Sequence, residues 1–66
     1  MIKFLKVTNA FNNKPMLIKL DMIATVEEDS KTRGFTEVPI RKITFVDNRP
    51  EEYATEELSY FEKFMV

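Results

Sequence analysis

This sequence predicts a mainly β fold of the α+β class: a small five-stranded antiparallel barrel with one C-terminal helix. Three observations carry that expectation. Short segments rich in β-branched and aromatic residues alternate apolar with polar positions. Clusters of Asn, Asp and Pro, with the one glycine, punctuate those segments. The last segment abandons the period of two for helical spacing. At 66 residues the chain is a single domain, 1–66.

The elements follow in order. Strands are expected at about 2–8, 16–20, 23–28, 37–46 and 49–54, and a helix at about 56–65. The first strand puts Ile2 and Phe4 on one face and Leu5 and Val7 on the other, a pattern usual for a central or barrel strand. Asn9 to Pro15 is a turn cluster, because Asn tolerates left-handed backbone and Pro fixes φ. Met16, Ile18 and Leu20 then alternate inward. Polar residues from Asp29 to Thr36 around Gly34 read as a loop or mobile hairpin tip. In the fourth strand Val38 and Ile40 share one parity, Ile43 and Phe45 the other. That change predicts a bulge or bend at Arg41-Lys42. Pro39 cannot donate to a ladder, which places its end of the strand on an edge. Asp47-Asn48 is the next turn. Thr55 is the expected N-cap, Glu56 and Glu57 the first-turn carboxylates, and Leu58, Phe61, Phe64 and Met65 the apolar stripe.

Composition excludes several kinds of chemistry. Without cysteine there is no disulfide, thiol nucleophile or zinc–thiolate site. Without histidine the commonest metal ligand and general base are missing. The net charge of −1 does not suit a dedicated polyanion binder. No cofactor, metal, membrane or small-molecule substrate is expected, and the chain is read as a cytoplasmic non-enzyme. So small a chain, with six Phe and four Met, also has material for self-association.

The stretches Met1 to Asn9, Leu20 to Glu28 and Lys42 to Phe61 carry a likeness to known proteins. The first looks like an opening strand ending in an Asn-bearing turn. The second leads from a short turn through an isoleucine to an acidic strand end, and the third is a closing hairpin running into a Glu-rich helix start. Together they resemble the SH3-like barrels of the flagellar FlbD-like group and similar short phage or bacterial proteins. The resemblance implies an accessory or regulatory role; fold by itself does not carry function.

Acidic groups have ordinary explanations. Glu27, Glu28 and Asp29 form a solvated strand end, since neighbouring strand residues point to opposite faces. Glu51, Glu52, Glu56 and Glu57 serve helix capping and solubility, because no apolar surroundings raise a carboxyl pKa for acid–base work. The leading expectation is a protein-interaction module using Lys31, Arg33 and Phe35, with Tyr60 and Phe64 as a second patch on the helix beside Val66. The alternatives are nucleic-acid binding through Lys3, Lys6 and Lys19 beside Phe4 and Phe11, and a homo-oligomeric structural subunit joined through Tyr60 and Phe64.

Overall fold

The computed structural model describes residues 3–65. Its elements run β1 (Phe4–Thr8), β2 (Pro15–Lys19), a single 3₁₀ turn (Leu20–Met22), β3 (Ile23–Arg33), β4 (Thr36–Phe45), β5 (Glu52–Ala54) and α1 (Leu58–Met65). The protein is thus mostly β, with five strands in two sheets and one C-terminal helix. β1 and β2 form one antiparallel sheet, and β3, β4 and β5 the other, with β4 in the middle. Among the described residues the ladders do not close into a barrel. Ile2, Val66 and the Met65 side chain, which carried expectations above, lie outside what is described.

The two sheets face each other across one core. Leu5, Val7 and Ile18 of the first sheet meet Ile23, Ile43, Phe45 and Ala54 of the second, and Phe61 of α1 fills the middle at 1% exposure. Phe4 lies on the solvent face of β1, so only one face of that strand is buried. The strand belongs to a two-stranded sheet, which needs a single covered side.

β1 is nevertheless bonded along both edges. On one side it pairs with β2, from Phe4↔Lys19 to Thr8↔Pro15. On the other it meets the chain that leads from β5 into α1. Ala10 donates its amide to the Tyr53 carbonyl (2.9 Å), Thr55 donates to the Thr8 carbonyl (3.1 Å), and Asn9 bridges Ala54. The Thr8 amide donates to both oxygens of Glu56 (2.8 and 3.0 Å), and the Thr8 hydroxyl adds a bond of 3.0 Å. The Tyr60 hydroxyl completes the edge by donating to the Lys6 carbonyl at 2.6 Å.

These bonds correct the expected helix start. α1 begins at Leu58, not 56, and Glu56 points its carboxylate at β1 rather than at the helix's own amides. Thr55 spends its amide on Thr8. Eight residues make a helix too short to persist alone, so Phe61 and Tyr60 hold it.

Three further expectations change. The segment 29–36 is not a loop: β3 continues to Arg33 and β4 starts at Thr36, leaving Gly34 and Phe35 as the turn. The predicted bulge lies in the partner strand. Pairing is regular from Thr25↔Thr44 to Arg33↔Thr36, and the irregularity falls between Ile23 and Thr25, where Ala24 is the extra residue. Both parities of β4 are still buried, Ile40 on one side and Ile43 and Phe45 on the other. The closing strand is also shorter than expected, three residues from Glu52. Pro39 pairs with Ser30 while β5 reaches only Arg41 to Ile43, so its donor-less side faces no strand among the described residues.

Arg41 is the one buried charged residue among those described, at 8% exposure. Its register neighbours are Glu28 and Ala54, and its Nε has no hydrogen-bond partner among the described residues.

Two stability outcomes follow from this packing. Glu56→Ala leaves the Thr8 amide without its acceptor and should lower unfolding free energy by about 1–3 kcal/mol in urea titration. Arg41→Met removes an incompletely bonded buried cation while keeping its apolar stem, and should be neutral or stabilising by about 1 kcal/mol in the same titration.

Candidate interaction surface

The β3–β4 hairpin carries three of the five residues expected to bind protein, Lys31, Arg33 and Phe35. Its turn depends on Gly34 at φ 66, the first of two central residues, and Phe35 follows without positive φ. That is the signature of a II′ hairpin turn, whose twist matches the flanking strands. Beyond Arg41 no third strand among the described residues accompanies the pair, so Asp29↔Ile40 through Arg33↔Thr36 form a two-stranded ribbon. The Cα radius of gyration is 12.0 Å. A compact chain of this length has about 10.8 Å. The molecule measures 43 × 23 × 19 Å, consistent with a projecting ribbon.

Lys31 is not free at the tip. Its ammonium donates to the Ala10 carbonyl and sits 5.1 Å from the Phe11 ring centroid, and Phe11 packs edge-on against Tyr53 at 5.3 Å. The turn after β1 thereby braces the ribbon root, where Ile40 is buried and Val38 half-buried. Past this brace every residue from Thr32 to Glu37 is exposed. Phe35 reaches 110% exposure, more than a reference extended chain allows, with Arg33 beside it.

The helix patch is divided. Tyr60 is half-buried, its hydroxyl on Lys6 and its ring edge-on to Phe61 (5.6 Å) and Phe64 (5.4 Å). It is an internal strut, and Phe64 is the part of the pair that faces solvent.

Among the basic residues, the β1–β2 register sets Phe4 opposite Lys19 and Lys6 opposite Leu17 on the outer face. Phe4, Lys6 and Leu17 are exposed there, with Lys3 also exposed and Lys19 half-buried. Phe11 does not join them, because it is engaged with Tyr53 and Lys31. Leu17 is the residue that sequence reasoning passed over. Its parity, opposite to that of Met16, Ile18 and Leu20, was the available signal.

Among the depressions on the described surface, two are shallow and measure about 380 Å³ each. One is lined by Lys6, Pro15, Met16 and Leu17, the other by Ala24, Thr25, Val26, Leu58, Phe61 and Glu62. Neither brings a pair of carboxylates together. Among the described residues no group of three acidic side chains is placed to hold a metal ion. No helix among them is long and apolar enough to cross a membrane.

The titrating pair lies elsewhere, at the β4–β5 turn where Asn48 takes φ 63. Arg49 donates to Asp47 from Nη2 (2.6 Å) and Nε (3.0 Å), and its guanidinium lies 5.1 Å from the Phe45 ring. Hydrogen bonding from Arg49 holds the Asp47 carboxyl below its ordinary value of 3.8, and the same bond raises Arg49.

Comparison of the chain with protein-family models, with curated proteins and with solved structures gives no match.

Because the folded Asp47 pKa is depressed, the pair's stabilisation is present above 3.8 and is lost as pH falls through the folded value. The melting-temperature gap between wild type and Asp47→Asn should therefore shrink between about pH 5 and about pH 2, as followed by circular dichroism.

Proposed function

We propose that this chain is a non-enzymatic protein-interaction module. It works through the tip of the β3–β4 ribbon, as an accessory or regulatory protein of the cytoplasm. The observation that carries the proposal is Phe35, a large aromatic presented without cover on a braced ribbon, next to Arg33. Aromatic and arginine side chains dominate binding energy at protein interfaces, and a paired ribbon presents them with less ordering cost than a loose loop. The absence of histidine and cysteine from the sequence argues in the same direction.

An SH3-like barrel is the architecture this proposal assigns. Its support is the strand sequence β2-β1-β5-β4-β3, in which the Asn9–Ala54 bridge and its flanking bonds join the two sheets. A phage or bacterial setting rests on the FlbD-like resemblance alone.

The competing proposal is nucleic-acid binding by Lys3, Lys6 and Lys19. It is favoured by the exposed Phe4 and Leu17 interleaved with Lys6 and Lys19. The −1 net charge stands against it.

Capture from native-host lysate with the tagged chain, with and without nuclease, separates the two. The interaction proposal expects a stoichiometric, nuclease-resistant protein that is lost with Arg33→Ala/Phe35→Ala. Capture that persists in this double variant, or that disappears on nuclease treatment, overturns it.

A further inference from the structure

The outer edge of β3 is unpaired, and its hydrogen-bonding phase is fixed. The turn at Gly34 and Phe35 closes on Arg33↔Thr36, and pairing is regular from there back to Thr25↔Thr44. In a two-residue hairpin the closing pair is hydrogen-bonded, and bonded and non-bonded pairs then alternate. Arg33, Lys31, Asp29 and Glu27 therefore turn their backbone groups toward β4, whereas Thr32, Ser30 and Glu28 turn theirs outward. Two details agree. Ser30 lies opposite Pro39, which has no amide, and the Ser30 amide bonds to the Asp29 carboxylate at 2.8 Å rather than to β4. From Glu27 to Arg33 all but the half-buried Lys31 are exposed, and no strand among the described residues lies along this edge.

The charges on that edge read as a palindrome of opposites. When a second β3 is laid antiparallel and centred on Ser30, Glu27 stands opposite Arg33 and Asp29 opposite Lys31, each twice by symmetry. Ser30 then meets Ser30 and Glu28 meets Thr32, so outward-facing backbone groups meet outward-facing ones. The charged pairs fall at the non-bonded positions, where side chains approach most closely. Neighbouring registers set like charges together. Centring on Asp29 or Lys31 opposes that residue to itself, centring on Glu28 opposes Glu27 to Asp29, and centring on Thr32 opposes Lys31 to Arg33. Within one chain Glu27 and Glu28 lie opposite Lys42 and Arg41, yet among the described residues neither forms an ion pair there.

We propose that two copies of this chain pair edge to edge through β3, antiparallel and centred on Ser30, in one sheet continuous across a two-fold axis. Such an interface is self-complementary, as two-fold symmetry requires. It also gives further strands to a two-stranded ribbon, which is marginal by itself. In the pair the Asp29 carboxylate leaves the Ser30 amide for the partner's Lys31, whose ammonium keeps donors beyond the one given to Ala10. Phe35 takes no part, so the pairing goes beyond the binding of a different protein by the tip and does not depend on it.

Sedimentation velocity of the full chain from about 10 μM to about 1 mM tests it. The mass should rise toward that of a dimer and fall back at higher salt. Glu27→Arg and Arg33→Glu each oppose like charges twice and should weaken association by about 10-fold. An equimolar mixture of the two, or the double variant Glu27→Arg/Arg33→Glu, opposes unlike charges again and should recover it. Both positions are exposed, and unchanged circular dichroism spectra would verify that the variants fold. Because the chain has no cysteine, Ser30→Cys reports the register. It should form a disulfide-linked dimer on mild oxidation, whereas Thr32→Cys, far from its own copy in this register, should not. A constant monomer mass overturns the proposal, as does association that the charge variants leave unchanged, or cross-linking as ready through Thr32→Cys as through Ser30→Cys. Phe35→Ala should leave the dimer intact. A monomer that still captures a different protein through Phe35 removes the pairing and leaves the interaction module standing.

Discussion

The second edge of β1 is the constraint on which the remaining architecture depends. A two-stranded sheet of five-residue strands has little stability of its own, and a buried strand cannot leave its amides and carbonyls unpaired. The chain from Tyr53 to Tyr60 meets that need with two backbone bonds, the Glu56 carboxylate and the Tyr60 hydroxyl. The same contacts join the two sheets, set the start of α1 and aim Phe61 into the core. One stretch of eight residues therefore serves as edge strand, side-chain acceptor for β1 and helix anchor.

The β3–β4 hairpin answers a different demand. Near its base it is a core element, with Ile43 and Phe45 against Leu5, Val7 and Phe61. Toward the tip burial passes to the opposite parity, and Ile40 is covered while the ribbon is braced by Lys31 on Phe11. Consecutive burial of Ile40 and Arg41 marks the crossover. The extra residue Ala24 in β3 gives the sheet added local twist near its base. Beyond the brace nothing covers the strands, and what remains is a short lever with an aromatic end.

The depressions are shallow, and the acidic side chains are spread along solvent-facing positions or, like Glu56, committed to the backbone. Lysines and exposed apolar residues lie together on the first hairpin, whereas the second carries Glu27, Glu28, Asp29 and Glu37 against Lys31, Arg33, Arg41 and Lys42, with the uncovered Phe35 at its tip.

Local chemistry was legible in the sequence. Strand alternation placed Leu5, Val7, Ile18 and Ile43 in pairing segments. The Asn-rich cluster and the Asp-Asn pair marked turns that use Asn13 at φ 59 and Asn48 at φ 63, and the single glycine marked the hairpin tip. These features were readable because each is a property of residues adjacent in the chain. The stretch Asp29 to Arg33 read as a loop because hydrophobic alternation reports burial, and neither face of the ribbon's outer part is buried. Its strand character is imposed by pairing with β4. Arg33 and Phe35 could be chosen from the sequence as binding candidates, yet their separation from Lys31 depended on where the turn after β1 came to rest. Glu56 shows the same limit, since a glutamate just before a helix looks like a cap. Only the tertiary fold brought Thr8, 48 positions earlier, within 2.8 Å of its carboxylate, where a long-range bond displaced the local one.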